Sequence, residues 1–353
     1  MQLRCGPEQG DSADEALTTI LSSEPYLAYA NFAPFRRRSG ALQRLHHRRM
    51  RQAADGSGLF VARDAAGRPL AALALAPRLF DSAHFASRMA RADAPVAVDG
   101  GERRLAVLRG LYRQAIEAMR AAGFQHLSFN CSSHDRAACW VLQELEAFYV
   151  GTKITWMQTL DGRARTQPIE KGLRLETYPA DRLPLQPASC WQRLHRWSAQ
   201  AFDRGPFVFD LSFTRERAMA LYQVWTERAM TGQSGDVLLV VKNDSGEVVA
   251  FHSVMKLGDL SDAAGHGVLG RGIGGTLPEH RGLFTALQQE CAATRPLGAD
   301  FLENETQSST VASIQVFGKL GHQCARSTAT FHLRLDGGLR GRHPASAVLA
   351  GAA

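Results

Sequence analysis

The sequence lacks the cysteine pairs that mark disulfide-bonded or zinc-binding domains. Its six cysteines are scattered, and no CxxC pair occurs. The single CxxH motif, formed by Cys131 and His134, has no second ligand pair to complete a zinc site. We therefore predict reduced thiols and no bound metal.

Long apolar runs are also absent, and no stretch reaches the length needed to cross a bilayer. The N-terminus lacks a charged region followed by an apolar one, which is the pattern of a secretion signal. No GxSxG, GxxxxGK(S/T) or HExxH motif occurs, so hydrolase, NTPase and metalloprotease chemistry lack their minimum parts. These absences favour a cytoplasmic protein without a membrane partner.

Lysine is scarce, and arginine carries most of the positive charge, giving a formal net charge of +7 and a pI near 9.3. This balance suits phosphate-bearing ligands. The clearest basic cluster spans residues 34–52, where Arg37, Arg44, Arg48 and Arg51 can share a helical face. Because no aromatic residues interleave to stack on bases, we predict a solvated surface helix, and a nucleic-acid partner is disfavoured.

One pattern occurs twice along the chain. Residues 59–75 and 238–254 each contain two apolar runs around a turn with glycine, which is typical of a β-hairpin. Each hairpin is followed by a helix, a short strand and another helix. The helical stretches are 108–122 and 135–148 in the first half and 283–294 and 311–320 in the second, with strands beginning at His126 and Asp300.

This repetition predicts an α/β (α+β) protein of two units on one plan, each a mixed, largely antiparallel sheet flanked by helices. A chain of 353 residues, 45% of them hydrophobic, is long enough for two cores. We predict a first domain over 1–160, a polar linker over 161–172, a second domain over 173–336 and a flexible tail over 337–353.

A glycine-rich stretch, GRGIGGTLPEHRGLF, spans residues 270–284. It contains GxGxxG, but Pro278 and a polar turn separate the glycines from the next helix, which argues against a dinucleotide site. A strand over about 266–277 would instead place Gly270, Gly272 and Gly274 on one face. Two interpretations stay open: a slot for a ligand, or a bulge packed on a neighbouring strand.

The turn PEHRG leads directly into a helix. Unpaired N–H groups and a partial positive charge at a helix N-terminus attract anions, and His280 and Arg281 add donors there. A pyrophosphate is therefore predicted to bind at this turn.

These residues resemble the GNAT superfamily of acyl-CoA-dependent N-acyltransferases, in which a turn of the form (R/Q)xxGx(G/A) holds the pyrophosphate. PEHRGLFTALQQE, FLENETQ and VASIQVFGKLGH follow that order. The segments LFDSAHFASRMARAD, ALYQVWTERAMTG and ETQSSTVASIQVFGKLG are similar to TDP-fucosamine acetyltransferases, and the first half resembles a degenerate copy. The resemblance implies two GNAT-like units, acetyl-CoA or another acyl-CoA as co-substrate, and a small-molecule amine acceptor such as a nucleotide-linked amino sugar.

The resemblance also implies a set of site residues. Acyl transfer to an amine needs a base and oxyanion donors. We expect the base among Glu303, Glu305 and His252, and acceptor contacts from Arg271, Tyr222 and Gln307. Cofactor contacts are expected at Gly275, Thr276, Leu277, His280, Arg281, Gly282, Leu283, Phe284, Thr285, Thr310 and Phe317, where the backbone N–H groups of the first three are the predicted oxyanion donors.

Two departures from the family pattern keep other functions open. The cofactor turn has Glu279 and Phe284 at its first and last positions, and Phe317 stands where the family usually has a proton-donating tyrosine. One alternative is an aminoacyl-tRNA-dependent transferase of the Fem type, with the basic segment 34–52 contacting tRNA. Another is a non-catalytic binding protein on the same scaffold. A homodimer is possible with any of these functions.

Overall fold

The computed structural model of the protein describes residues 3–336, apart from 30, 55–57, 99, 163–165, 167 and 180–186. The predicted tail over 337–353 and part of the predicted linker lie outside the described residues. No helix in these ranges is long and apolar enough to cross a membrane.

The described elements fall into two halves. The first half contains β1 (Arg4–Glu8), α1 (Gly10–Leu21), α2 (Ala33–Arg36), α3 (Ser39–Ala54), β2 (Leu59–Arg63), β3 (Pro69–Pro77), α4 (Leu79–Phe85), β4 (Met89–Ala92), β5 (Val96–Ala97), α5 (Gly101–Ala121), β6 (His126–Ser132), α6 (Arg136–Glu144) and β7 (Phe148–Thr159). The second half contains β8 (Leu173–Pro179), α7 (Gln192–Ala201), α8 (Arg215–Met230), β9 (Val237–Asn243), β10 (Val248–Lys256), α9 (Gly258–Ala264), β11 (Val268–Gly270), β12 (Gly274–Thr276), α10 (Leu283–Thr294), β13 (Phe301–Gln307), α11 (Val311–Lys319) and β14 (Gln323–Arg334).

Both predicted hairpins are confirmed, as β2–β3 and β9–β10. Their turns use the same chemistry. In the first, the Asp64 carboxylate accepts a hydrogen bond from the Arg68 backbone N–H at 3.0 Å, and Gly67 has a φ of +81°. In the second, Asn243 Oδ1 accepts from the backbone N–H four residues later at 2.9 Å, and Gly246 also has a φ of +81°. Only glycine adopts this φ without strain, which fixes the turn position.

The strands form one mixed sheet of 14 strands, in the order β1-β2-β3-β4-β6-β14-β7-β13-β11-β10-β9-β8, with β5 and β12 paired to β3 and β10. The α/β class is confirmed, and most pairings are antiparallel. The sheets of the two predicted units are joined into one, because the last strand of each half is exchanged: β14 pairs with β6, and β7 pairs with β13. Strand propensity does not specify the pairing partner, so the sequence could not show this exchange.

Alternation along β13 defines the two faces of the sheet around the second half. Phe301 packs edge-on against Phe32 and Phe35, and Leu42 and Leu45 of α3 belong to the same cluster. We call this the front face. Asn304 instead bonds Gln288 of α10, which lies on the back face. Glu303, Glu305 and Gln307 therefore share the front face with Phe301.

The predicted continuous strand over 266–277 is interrupted. Arg271 adopts a left-handed φ of +54°, which breaks the pleat and separates β11 from β12. The three glycines do not form one bare face, since each is packed: a Cβ on Gly270 would lie 2.7 Å from Glu303 Cβ, on Gly272 1.5 Å from the Ser253 carbonyl oxygen, and on Gly274 2.9 Å from His252 Cδ2. Of the two interpretations left open, the packed bulge describes Gly270 to Ile273.

Because a side chain at Gly272 would collide with the Ser253 carbonyl oxygen, replacing this exposed glycine should destabilise the fold. We expect Gly272→Ala to lower the free energy of unfolding by about 3 kcal/mol, because backbone must move to admit the methyl group. Gly318→Ala in α11 is the matched control, since no atom lies within 4 Å of its added Cβ, and it should stabilise by roughly 0.5–1 kcal/mol. Urea denaturation measures both. Equal midpoints for the two variants would contradict the bulge packing.

Candidate functional site

A gap opens in the sheet where β11 gives way to β12. β11 runs parallel to β13 through the pairs Val268–Phe301 and Leu269–Leu302, whereas β12 pairs only with β10. We call the space between β12 and β13 the strand gap. It leaves one edge of β12 without a strand partner, and unpaired strand edges bind extended ligands through their backbone groups.

The hydrogen bonds of β12 decide which backbone groups face the strand gap. The Leu277 N–H donates to the Val249 carbonyl, and the Ile273 carbonyl accepts from Ser253. Because an antiparallel strand alternates its backbone direction, the amides of Gly274 and Thr276 point the other way, into the gap. Three backbone amides were predicted as oxyanion donors. The Thr276 amide is available to a ligand in the gap. The Leu277 amide is already bonded to Val249, and the Gly275 amide points to the same side as that of Leu277.

The Thr276 carbonyl is not free, since the Trp197 indole N–H of α7 donates to it at 3.0 Å. The Thr276 amide remains directed at the gap. Beside it, Gly275 has Phe251 and Phe202 as its nearest side chains, and Phe202 stacks on Tyr222 at 4.7 Å. Tyr222 is buried behind Phe202, so it supports the gap from behind instead of lining it.

The N-terminus of α10 lies next to the strand gap and is open. Gly282 is its N-cap, no side chain caps the helix, and nothing lies within 4 Å of a Cβ built on Gly282. Arg281 is exposed beside it, and Leu283, Phe284 and Thr285 form the first helical turn. The carboxylate of Glu279 pairs with Arg193, which neutralises its charge. The geometry required for an anion site is present.

A buried polar network fills the back of the sheet beneath the strand gap. Asn304 donates to Gln288 Oε1 at 2.9 Å and contacts His322 Nε2 at 3.1 Å, and Gln288 lies 3.2 Å from His252 Nδ1. Burial lowers the pKa of His252 to about 4, so the ring is neutral at pH 7. With 3% exposure and these partners, His252 serves the network better than it would serve as a base.

Two phenylalanines close this network. The Phe284 ring lies against His252 and Phe317, and its edge covers Gly274. Phe317 is buried on α11 among Phe284, Trp156 and His322, and Thr310 occupies the N-cap of the same helix. Of the predicted cofactor residues, Gly275 and Thr276 lie on β12 at the gap, and Phe284 and Phe317 pack together beside it. Sequence analysis missed Gln288, Asn304 and His322.

The front face carries the two predicted glutamates, which we call the acidic pair. Glu303 is 1% exposed, and the Tyr29 hydroxyl donates to its Oε2. Its Oε1 has no hydrogen bond and lies 3.5 Å from Arg271 Nε. Burial, reinforced by the charge of Glu305, raises the pKa of Glu303, and Arg271 and Tyr29 only partly oppose this shift. A carboxylate with a raised pKa is suited to accept a proton near neutral pH.

Glu305 has the opposite character. Burial acts against its ionisation, but the Lys153 ammonium, 2.9 Å away, outweighs this effect and the pKa is lowered. Its side chain is about one-third exposed. The paired, ionised Glu305 is therefore a weaker base than Glu303. Gln307, one alternation further along, lies against Gly151 and extends the same polar front face.

Tyr29 was not predicted. It belongs to the first half and reaches Glu303 across the boundary between the halves, and it lies in a segment without a recognisable motif. Its φ of +66° is rare for a residue other than glycine, as is the φ of Arg271, the other partner of Glu303. Strained backbone of this kind concentrates at functional sites. The left-handed backbone of Tyr29 and Arg271 is the feature that marks both as partners of Glu303, and a sequence does not show backbone conformation.

The corresponding gap of the first half is closed. There β4 runs parallel to β6 while β5 pairs with β3, which repeats the arrangement in the second half. The backbone of Ala97 in β5 is occupied, because its N–H donates to Glu24 at 2.6 Å and its carbonyl accepts from Arg104 at 2.9 Å. At the strand positions matching Glu303 and Glu305, β6 carries Ser128 and Asn130. The first half therefore has no carboxylate at either of these two described positions.

This closure predicts a strong dependence of stability on Arg104, which is 3% exposed and bonds Asp135 at 2.7 Å and Glu24 at 3.4 Å. We expect Arg104→Met to lower the free energy of unfolding by about 3–5 kcal/mol, because two carboxylates stay buried without their partner. Arg109→Met is the control in the same helix, since its ion pair with Glu144 is partly exposed and should cost under about 1 kcal/mol. Similar urea midpoints for both variants would refute the buried network.

One buried cluster in the described chain has the composition of a metal site. His126 Nε2 and His332 Nδ1 lie 2.8 and 2.6 Å from the same oxygen of Asp210. The other Asp210 oxygen accepts from the Ser212 backbone at 2.9 Å. Asp210 bridges both imidazoles, whereas His126 Nδ1 is buried without a hydrogen-bond partner in the described chain. The cluster ties the segment between α7 and α8 to strands β6 and β14.

No protein-family model matches this chain, and no curated protein matches it significantly. Solved structures do. A GCN5-related N-acetyltransferase from Sphaerobacter thermophilus has a TM-score of 0.59 at 14% identity, covering 94% of this chain and 96% of that one. A tandem GNAT protein from the clavulanic acid biosynthesis pathway has a TM-score of 0.53 at 16% identity, covering 95% and 99%.

A third solved structure is the glucosamine N-acetyltransferase region of a fungal multi-domain β-N-acetylglucosaminidase. Its TM-score is 0.56 at 12% identity, and the match covers 94% of this chain and 38% of that one. At such identities these likenesses establish the fold alone. The chain has the fold of tandem GNAT proteins, with mixed α/β halves and a large shared sheet.

Proposed function

We propose that the protein is an acyl-CoA-dependent N-acyltransferase that moves an acetyl or other acyl group to an amine of a small molecule. The observation that carries this proposal is the strand gap of the second half. An unpaired strand edge, an uncapped helix N-terminus and a buried carboxylate meet there, and the matching gap of the first half is closed.

The donor side of this reaction uses backbone groups. The open N-terminus of α10 and the exposed Arg281 would hold the pyrophosphate of the acyl-CoA. The edge of β12 would hold the pantetheine arm, and the amides of Gly274 and Thr276 would donate to the oxygen of the acyl carbonyl. When bound, the thioester supplies the electrophilic carbonyl carbon that the amine attacks.

The acceptor side uses the front face. In the proposed reaction Glu303 accepts the proton of the attacking amine, directly or through one water, because its raised pKa keeps it a competent base. Tyr29 and Arg271 fix the orientation of the carboxylate from two sides. Phe317 has no proton to give, so the departing thiolate takes its proton from solvent.

An amino sugar, free or nucleotide-linked, is our proposed acceptor. Its support is the similarity of three sequence segments to TDP-fucosamine acetyltransferases. One of the solved structures with this fold is itself described as a glucosamine N-acetyltransferase region. The reaction would join the acyl carbon to the sugar nitrogen, break the thioester bond and release free CoA.

Calorimetry with acetyl-CoA, longer acyl-CoAs, desulfo-CoA and tRNA tests the proposal. We expect acetyl-CoA to bind with micromolar affinity, roughly 8 kcal/mol, and Arg281→Glu to weaken binding at least tenfold. Arg44→Glu, on the exposed side of α3, is the matched charge-reversal control and should bind normally. Salt-sensitive binding of tRNA without acyl-CoA binding would instead favour the Fem-type transferase. Binding of neither would overturn the transferase proposal.

A further inference from the structure

Two arginines at the front face have no side-chain partner in the part of the protein that the structure describes. Arg49 of α3 and Arg326 of β14 are half-buried, and neither guanidinium forms a hydrogen bond or ion pair with any residue that the structure describes. An exposed guanidinium forms its hydrogen bonds with water. A half-buried guanidinium loses part of this hydration, so two such groups without a protein partner favour binding of an anion.

Arg326 lies beside the acidic pair. It is paired in register with Thr155 of β7, and Thr155 is paired with Glu305 of β13. Residues paired across neighbouring strands point to the same face, so Arg326, Thr155 and Glu305 form one row on the front face. The Thr155 hydroxyl, in the middle of this row, donates to Glu305 Oε1 at 3.4 Å.

Arg49 approaches the same row from above. Helix α3 packs on the front face through Leu42 and Leu45, in one cluster with Phe301. Arg49 follows Leu45 by one helical turn, and Glu303 follows Phe301 on the same face of its strand. His46 of the same helix accepts a hydrogen bond from the Ala28 N–H at 3.1 Å, next to the Tyr29 that bonds Glu303, so this part of α3 faces the acidic pair. The Arg49 charge opposes the rise in the pKa of Glu303, and the Arg326 charge contributes to the lowered pKa of Glu305.

The charges around this space do not balance. Arg271 neutralises Glu303, and Lys153 neutralises Glu305. Asp93, the next carboxylate with an influence on His46, is already paired with Arg91 at 2.9 Å. Arg49 and Arg326 therefore add positive charge with no carboxylate in the described chain to meet it, next to the carboxylate proposed to accept the proton of the amine.

We infer that the acceptor carries an anionic group, a carboxylate or a phosphate, in addition to its amine, and that Arg49 and Arg326 bind this group. Binding between them would orient the amine towards Glu303. This inference rests on the proposed acyl transfer and narrows its substrate class. Two sources share the chemistry: an amino acid or amino-sugar acid provides a carboxylate, and a phosphorylated or nucleotide-linked amino sugar provides phosphate.

Matched acceptor pairs test the inference through CoA release from acetyl-CoA. One pair is glucosamine and glucosamine 6-phosphate. The other pair is glutamate and glutaminamide, in which both carboxylates are replaced by amides. We expect the anionic member to have at least a tenfold higher kcat/KM, and the preferred pair identifies the source of the charge. Arg49→Gln and Arg326→Gln should each reduce that preference about tenfold, mainly through KM. Arg48→Gln, on the exposed side of the same helix, should not.

A second measurement separates this inference from the proposed function. Inorganic phosphate should raise the Tm relative to chloride at equal ionic strength, since a ligand that binds only the folded state stabilises it. Because the N-terminus of α10 with Arg281 is itself an anion site, the comparison is made in proteins that carry Arg281→Gln. The increase should persist in Arg281→Gln and disappear when R49Q/R326Q is added to it. Acyl transfer that favours neutral acceptors, or a phosphate effect that is equal with and without R49Q/R326Q in this background, overturns the inference. If phosphate stabilisation depends on Arg49 and Arg326 but the protein binds no acyl-CoA, only the proposed transferase function is overturned.

Discussion

Replacing Glu303 by glutamine will reduce acyl transfer by roughly 10²–10⁴-fold and will make the protein more stable. The loss of turnover follows because the amide of glutamine cannot accept the proton. The gain in stability follows because burial raises the pKa of Glu303, so the folded state disfavours the charged form that glutamine removes. Removing a catalytic group commonly gives both effects.

The sign of the pH dependence follows from the same shift. A carboxyl group with a raised pKa destabilises the folded state as pH rises through that pKa, so the advantage of Glu303→Gln grows in this interval and disappears at low pH. In the unsubstituted protein, kcat/KM should rise with pH over the same interval as Glu303 becomes a base. Thermal unfolding and initial rates over pH 4–9 measure both effects.

Glu305→Gln is the matched control, because its pKa is lowered by Lys153 and its charge stabilises the fold at neutral pH. This variant should lose a little stability and keep most of its turnover. If Glu303→Gln retained full activity, or melted at a lower temperature than the unsubstituted protein at pH 8, Glu303 could not be the buried base.

Mild acid will unfold the protein cooperatively between about pH 6 and pH 4. Three histidines with exposures of 0%, 3% and 6%, His126, His252 and His322, have pKa values lowered from 6.5 to about 4, mainly by burial. The unfolded chain binds a proton at each of them below pH 6.5, whereas the folded chain does so only near pH 4. Stability therefore falls as pH drops through this window.

This loss of stability is expected to be large. Each lowered pKa reduces the free energy of unfolding at pH 4 by roughly 3 kcal/mol, and three such groups together approach the whole unfolding free energy of an ordinary domain. His322→Gln should remove one of the three protons and reduce the pH slope of the unfolding free energy by about 1.4 kcal/mol per pH unit. Urea titrations at pH 7, 6 and 5 provide the slopes. Equal stability at pH 7 and pH 5 would show that these histidines are not buried in neutral form.

Sequence patterns predicted the parts of the site that lie on one element. The strand FLENETQ was predicted to carry both candidate bases, Glu303 and Glu305, and the turn before α10 was predicted to bind an anion. Alternation could not show which glutamate is buried. That difference comes from Tyr29, 274 positions away from Glu303, and from Lys153, 152 positions away from Glu305. Interactions across the halves depend on the sheet topology, which no local pattern encodes.

The same limit applies to Arg49. The basic segment 34–52 was predicted as a surface helix, and Arg44 and Arg48 are indeed exposed on α3. Helical spacing separates Arg49 from that exposed side, but a run of arginines gives no reason to assign one of them to a buried space. The proposed role of Arg49 depends instead on tertiary packing, in which Leu42 and Leu45 share a hydrophobic cluster with Phe301.

The exchange of β7 and β14 makes the two halves a single cooperative unit. A polypeptide containing only residues 1–160 would have β6 without its neighbour β14, and one containing only residues 173–336 would have β13 without β7. Such open edges recruit another chain. The two fragments should therefore be insoluble when expressed alone and should associate into one particle when coexpressed, held together by the crossed strands in place of the peptide bonds between them.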